Sequence, residues 1–191
     1  MKTKAISVLL ITLFAGSGIL YGQNSAGSVT DVILNSYSVR MFSSEQVSDQ
    51  DLEIILKCGI KAPSSRNKQP WKFTVVKDTA LMRKAIGSVN SGNVLIFVSG
   101  PDLEAERSIV DFDCGLATEN MNIAAQSLGL GARIYGGPVR NVNSTMKQNL
   151  EIPEGYRVVT ILRVGHIDKS VDAVSAASSR KSFEEIVNIR K

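Results

Sequence analysis

The chain has 191 residues, of which 43% are hydrophobic, and its formal net charge is +4 at neutral pH. This length and apolar content are typical of a single folded domain and exclude intrinsic disorder over a long span. The basic residues are dispersed and are not interleaved with aromatic residues, so we expect no nucleic-acid-binding surface.

The first 23 residues have the pattern of an export signal. Lys2 and Lys4 form a basic start, and Ala5–Leu20 is an uncharged, mostly apolar run that leads into a polar segment. A membrane anchor is the alternative, but the run is shorter than the ~20 apolar residues that cross a bilayer. A buried N-terminal helix is a second alternative. We therefore expect a cleaved signal peptide at residues 1–23, export to the periplasm or cell envelope, and no stable membrane insertion afterwards.

Helical and strand periodicities alternate along residues 24–191, which we expect to form one domain. Ser48 and Asp51 form a capping pattern that opens a helix ending before Pro63. The continuous apolar run Asn93–Ser99 is typical of a strand buried on both faces. The other predicted helices are Val29–Ser36, Thr79–Ile86, Leu103–Leu128 and Val139–Leu150, and the other strands are Trp71–Val76, Ala132–Tyr135 and Arg157–Gly165. This order favours a layered α/β or α+β fold.

A proline-stiffened loop separates the second predicted helix from the first predicted strand. Pro63 and Pro70 fix φ and lack an N–H, so we expect a rigid, extended loop that is neither mid-helix nor central strand. It presents the hydroxyls of Ser64 and Ser65 and the amides of Asn67 and Gln69, which are uncharged donors and acceptors. Such groups suit the edge of a planar heterocycle better than a metal. An ordinary polar connector is the alternative.

Two cysteines and the C-terminal segment complete the chain. Cys58 and Cys114 could pair in an exported protein, but both lie in apolar helical patterns, where a free cysteine behaves as a small hydrophobe. With His166 as the single histidine, they have no metal-site spacing. Residues 167–191 are predicted to be an extended arm with a short helical end, which needs a partner surface to become ordered.

Five fragments, in this order, resemble the FMN-dependent nitroreductase family: Ser38–Phe42, Ala62–Phe73, Asp113–Ala117 with Asn120–Gly131, Gly136–Gly137 and Arg180–Glu185. The resemblance spans roughly residues 30–187. It implies an α+β fold of three α/β/α layers and an intertwined homodimer, with two FMN sites at the interface and residues from both subunits in each site. It also implies a small-molecule electron donor, such as a reduced nicotinamide nucleotide, and acceptors such as nitroaromatics or quinones.

The resemblance further implies which positions bind the cofactor. Ser36, Tyr37, Ser38 and Arg40 match the segment along the phosphate, ribityl chain and pyrimidine edge, where a guanidinium would favour the anionic reduced flavin. The remaining matches are Pro63, Ser64, Ser65 and Asn67 in the loop that the partner lays against the ring, Gly136 and Gly137 at the turn facing flavin N5, and Arg180 as a phosphate ligand. Gln69 and Trp71 would brace the loop. No catalytic acid or base is assigned, because the flavin carries the chemistry.

Two departures from the family pattern bear on function. The family commonly has basic residues where this chain has Ser36 and Tyr37, so phosphate binding would rest on Arg180, Ser36 and Ser38 and would be weaker. The link from Ala80 to Val94 is short where many members carry an asparagine and a basic residue that reach the pyrimidine edge. Asn90 is a candidate for that asparagine, without an assignment. The segment that usually shapes the substrate mouth is also reduced, which predicts an open, unselective pocket. Alternatives to nitroreductase-type chemistry are another flavin reaction, such as reductive dehalogenation or flavin cleavage, and a non-catalytic flavin-binding protein.

Overall fold

The computed structural model describes residues 28–174 and 179–190. The predicted signal peptide lies outside these residues. Among the described residues, no helix is long and apolar enough to span a bilayer. The helices are α1 (Val29–Leu34), α2 (Asp49–Ile60), α3 (Thr79–Ile86), α4 (Arg107–Ser127), α5 (Val139–Thr145) and α6 (Phe183–Ile186), and the strands are β1 (Lys72–Val76), β2 (Val94–Pro101), β3 (Gly131–Tyr135) and β4 (Tyr156–Gly165).

The four strands form one sheet in the order β1-β2-β4-β3, and every neighbouring pair is antiparallel. Alternate side chains of the central strand β2 enter two different cores. Val94, Ile96 and Val98 pack with residues of α2 and α4, whereas Leu95 and Phe97 pack with residues of α3 and α5. The prediction of a strand buried on both faces is confirmed, because helices cover both sides of the sheet.

The sheet is therefore the middle of three layers, with α2 and α4 on one face and α3 and α5 on the other. This confirms the α+β class and the three-layer arrangement. Close contact between α2 and α4 depends on Gly59, where a Cβ atom would lie 2.7 Å from Cγ of Met121. Any larger residue would push the two helices apart.

Two helices begin or end at residues other than those predicted. The long helix does not begin at Leu103 but at Arg107, after a tighter 3₁₀ turn over Glu104–Glu106, which is common at helix starts. The helix α5 ends at Thr145, five residues before the predicted end. The hydroxyls of Ser144 and Thr145 donate to the carbonyl of Asn141 at 3.0 and 2.8 Å, and such bonds compete with the helical ladder.

Both cysteines are free thiols, so they do not form a disulfide. Cys114 is fully buried on α4, and burial raises the pKa of its thiol to about 12. Cys58 is half-buried on α2. Both therefore occupy the apolar helical positions that their patterns predicted.

The first residues of the arm after β4 are hydrogen-bonded to their own chain. The backbone N–H of Ser43 donates to the His166 carbonyl at 2.9 Å, and that of Arg40 donates to the Ala173 carbonyl at 3.0 Å. Residues 167–173 of the arm, which we predicted to need a partner surface, thus have hydrogen-bond partners in the extended segment 40–43 of their own chain. For the rest of the arm, the need for a partner surface stays a prediction. Further along, Phe183 and Ile186 on α6 are 65% and 66% exposed.

Candidate functional site

The extended segment after α1 positions the first group of predicted site residues. The N–H of Tyr37 donates to Oε1 of Gln126 on α4 at 3.3 Å, and the N–H of Val39 donates to the Ala132 carbonyl on β3 at 3.2 Å. Val39 is buried, Ser36 and Ser38 are half-buried, and Arg40 is exposed. The segment is therefore fixed between α4 and β3, with Arg40 on its accessible side.

Arg40 lines a cavity of about 300 Å³, here called the arginine cavity. Five parts of the chain supply its polar lining: the Arg40 segment, the link between α3 and β2, the strands β3 and β4, and the arm after β4. The polar residues concerned are Arg40, Ser88, Asn90, Arg133, Tyr135, Arg163 and Asp168. The cavity has three guanidinium groups and one carboxylate, so its charge is positive.

The link between α3 and β2 is held against the Arg40 segment. The side-chain amide of Asn90 donates to the Phe42 carbonyl, and that of Asn93 donates to the Ser43 carbonyl at 2.9 Å. Asn90, the unassigned candidate for the pyrimidine-edge asparagine, thus faces the same cavity as Arg40. Its placement comes from hydrogen bonding between segments about fifty residues apart.

The proline loop has a more contorted backbone than the extended conformation predicted for it. Ser65–Asn67 forms a 3₁₀ turn, and Arg66, Asn67 and Gln69 all have left-handed φ values of 52°, 54° and 46°. Such residues are strained unless their surroundings hold them. The predicted bracing role of Gln69 is confirmed, since its N–H donates to Oγ of Ser64 at 2.9 Å and its amide donates to Oδ1 of Asn67 at 3.1 Å.

A second cavity, of about 580 Å³, lies between the proline loop and α4. Pro63, Ser64 and Ser65 form its loop side, and the α4 side includes Ile109 and Phe112. Phe112 is 66% exposed. This loop cavity thus combines an apolar wall with hydroxyl groups at its edge, a surface on which a planar aromatic ring can lie.

The remaining predicted residues lie in turns and in the tail. Gly136 and Gly137 directly follow Tyr135, which lines the arginine cavity, and a Cβ atom at either glycine would meet no described atom within 4 Å. Arg180 is exposed in the tail, where its guanidinium donates to the Ser179 carbonyl at 3.3 Å. Within one chain, the arginine cavity and the loop cavity have separate linings.

A protein-family comparison decides the classification. The model of the nitroreductase family matches residues 33–95 and 87–166 of the chain. This chain belongs to the nitroreductase family. A relative from Archaeoglobus fulgidus, named for NADH dehydrogenase and NAD(P)H nitroreductase activity, is 33% identical over 144 residues, covering 71% of this chain and 83% of the relative.

Another relative and a solved structure agree with this classification. The FMN reductase (NADPH) of Bacillus subtilis is 26% identical over 163 residues, covering 71% of this chain and 64% of that protein. A nitroreductase from Desulfovibrio desulfuricans, solved in complex with FMN, superposes with a TM-score of 0.74 at 27% identity, covering 86% of this chain and 98% of that one.

In this nitroreductase, the sequence did not reveal the two other guanidinium groups of the arginine cavity. Arg133 and Arg163 lie within the predicted strands Ala132–Tyr135 and Arg157–Gly165, where no site residue was predicted. A charged residue between Leu162 and Val164, in a central strand, was the available signal, because arginine is almost never fully buried without a partner. Asp113 and Gln126 were also missed, since each acts through a single backbone N–H that only the fold brings near.

Proposed function

We propose that this nitroreductase-family protein binds FMN and passes electrons from a reduced nicotinamide or another donor to nitroaromatic, quinone or similar small acceptors. The observation that carries the proposal is the convergence of Arg40 and Asn90 on one cavity, beside the turn at Gly136 and Gly137. Membership of the family and the FMN named for its relatives support the same cofactor.

The residues present fit the polar edge of a flavin. Arg40 and Asn90 carry N–H donors for carbonyl and ring-nitrogen acceptors. The open space at Gly136 and Gly137 allows a ring to approach the backbone closely, which a side chain would prevent. When bound, FMN supplies a carrier of two electrons.

The protein's part in the reaction is to hold the ring and leave one face open. The Arg40 guanidinium, always charged, holds an electron-rich edge in a fixed direction. The exposed glycine turn leaves room for a donor and then an acceptor to use the same face. The wide loop cavity, with Phe112 exposed at its wall, supports a broad choice of small aromatic acceptors.

The proposal includes a homodimer with two composite sites. The arginine cavity and the proline loop are separate within one chain, so a second copy would lay its Pro63, Ser64, Ser65 and Asn67 loop over the first copy's cavity. Exposed apolar residues on two helices support such an interface: Leu34 on α1 and Phe183 on α6 are 77% and 65% exposed. Sedimentation of the purified protein at twice the chain mass is the expected result, and a monomer at micromolar concentration would contradict it.

Absorbance spectroscopy tests the activity. The purified protein should show flavin bands that bleach under anaerobic conditions when a reduced nicotinamide nucleotide is added, and should regain them with a nitroaromatic or a quinone. Bleaching only with dithionite would point to a donor other than a nicotinamide. Yellow protein that no acceptor reoxidises would favour non-catalytic flavin binding, which agrees with the uncharged residues Ser36 and Tyr37 at the phosphate position.

We also propose that the protein is exported from the cytoplasm and acts as an oxidoreductase outside it. The basic start and apolar run within residues 1–23 support this location. Free nicotinamide nucleotides are scarce outside the cytoplasm, so the natural donor would then be another reductant. Cell fractionation with mass spectrometry of the N-terminus tests the idea, and full-length protein confined to the cytosol would refute it.

A further inference from the structure

Two arginines of the arginine cavity lie directly opposite each other in the sheet. Arg133 on β3 and Arg163 on β4 are register partners in the antiparallel pair. Like charges at such positions destabilise a sheet because the side chains share one face. Arg163 is also only 5% exposed, so its charge has little water to screen it.

The groups around Arg163 and Arg133 are neutral. Nε and Nη2 of Arg163 donate to Oδ1 of Asn93 at 2.8 and 2.6 Å, and Nη1 donates to the Ser88 carbonyl at 3.3 Å. The Arg163 guanidinium lies 4.1 Å from the centre of the Phe42 ring, and that of Arg133 lies 4.6 Å from the Tyr135 ring. Each contact orients a guanidinium, and none cancels its charge.

Neither arginine forms an ion pair in residues 28–174 and 179–190, although Arg107 and Arg157 do so. Burial lowers the pKa of Arg163, a side-chain hydrogen bond with Tyr135 opposes that change, and the charge of Arg133 adds to it, yet a guanidinium stays protonated. A purely structural strand position would be served better by an apolar residue of similar volume. The fold thus maintains an uncompensated positive charge beside the cavity that Arg40 also lines, where Asp168 is the acidic residue of the lining.

We propose that Arg133 and Arg163 act on the redox state of the bound cofactor, by stabilising the negative charge that the pyrimidine edge of FMN gains on reduction. This inference rests on the proposed function. Two electrons from the donor and one proton convert the neutral ring into a monoanion, so nearby fixed cations favour the reduced form. The arginine pair therefore raises the reduction potential, and Arg40 adds to its effect.

The test compares three variants by the two-electron midpoint potential of bound FMN, measured by equilibration with a reference dye. Arg133 is half-buried, so Arg133→Met should fold, and Arg133→Lys keeps the charge. Lys84→Met, on the exposed side of α3, removes one charge away from the cavity. In Arg133→Met, the ratio of the affinities for reduced and oxidised FMN should fall about tenfold. This corresponds to a midpoint potential about 30 mV lower for a two-electron couple. Arg133→Lys and Lys84→Met should keep the wild-type potential.

A potential unchanged in Arg133→Met, with FMN still bound, would overturn the inference and leave the proposed function intact. An equal shift in Lys84→Met would also overturn it, because the effect would then follow net charge alone. Wild-type protein that stays colourless with added FMN would overturn the proposed function itself. Arg163→Lys provides a second measurement: its potential should stay near that of the wild type if charge is what matters at this position.

Discussion

The carboxylate of Asp113 on α4 accepts the backbone N–H of Ser65 with both of its oxygens, each at 3.1 Å. Asp113 is 1% exposed. This hydrogen bond holds Ser65, at the edge of the loop cavity, against α4. Ser65 lies directly before the left-handed residues Arg66, Asn67 and Gln69. A buried carboxylate bonded to backbone is expensive to remove, since the N–H then lacks its acceptor.

Removing this carboxylate should loosen the proline loop. Hydrogen bonds to charged groups contribute about 1.5–3 kcal/mol, so Asp113→Ala should lower the free energy of unfolding by about 2 kcal/mol in urea titrations. Asp113→Asn, which keeps one acceptor oxygen, should lose less. Ser108→Ala is the control, because it alters the same cavity lining without touching the loop's hydrogen bonds. Equal stabilities for Asp113→Ala and the control would show that the loop is held by other contacts.

The Arg40 segment should depend on Gln126. Its side-chain oxygen accepts the Tyr37 N–H, and its amide donates to Oδ1 of Asn122 at 3.2 Å. A neutral hydrogen bond contributes about 0.5–1.5 kcal/mol, so Gln126→Leu should weaken FMN binding about threefold to tenfold in fluorescence titrations. Ser127→Ala, on the adjacent position of α4, should bind FMN as the wild type does. Equal affinities for both variants would refute a positioning role for Gln126.

Stability should fall at alkaline pH because of Cys114. Burial raises the pKa of this thiol from 9.0 to about 12 in the folded protein. Above pH 9 the unfolded chain loses the proton while the folded protein keeps it, so the stability contributed by the neutral thiol is complete below pH 9 and declines as pH rises towards 12. Urea midpoints at pH 8 and pH 10.5 should differ more for the wild type than for Cys114→Ala.

The burial of Cys114 also predicts that its thiol reacts slowly. Thiolate is the nucleophile, so iodoacetamide at pH 8 should label the half-buried Cys58 well before Cys114 in the native protein. Peptide mass spectrometry of briefly labelled samples measures both sites at once. Fast labelling of Cys114 without unfolding would contradict its raised pKa.

Substitution of Arg180 tests whether the C-terminal tail binds the phosphate of FMN. The family resemblance makes it a phosphate ligand, so Arg180→Ala should lower FMN affinity by about 1.5–3 kcal/mol, the range for a hydrogen bond to a charged group. Lys181→Ala removes a neighbouring charge and should have a smaller effect. Unchanged flavin retention on dialysis of Arg180→Ala would show that the tail does not bind the phosphate.

Local sequence patterns were sufficient to predict most helices and strands, but they did not predict which charged residues meet at the candidate site. The helix Thr79–Ile86 was predicted to the residue, and the strand at Asn93–Ser99 within two residues, because each depends on periodicity and flanking breakers. The end of α5 was missed because Ser144 and Thr145 compete for the backbone. The conformation of the proline loop was missed because Asp113, far along the chain, accepts the N–H of Ser65, which directly precedes the left-handed residues.

The sequence by itself determined the family and the layered architecture, since these follow from local patterns and from motifs in a set order. It also predicted which segments face a flavin. Only the tertiary structure decided that Arg133 and Arg163 meet across two strands beside Arg40, and that the Arg40 segment and the proline loop line separate cavities of one chain. The physical reason is that register and long-range packing set distances between charges, and a one-residue slip in β3 would carry Arg133 to the opposite face of the sheet.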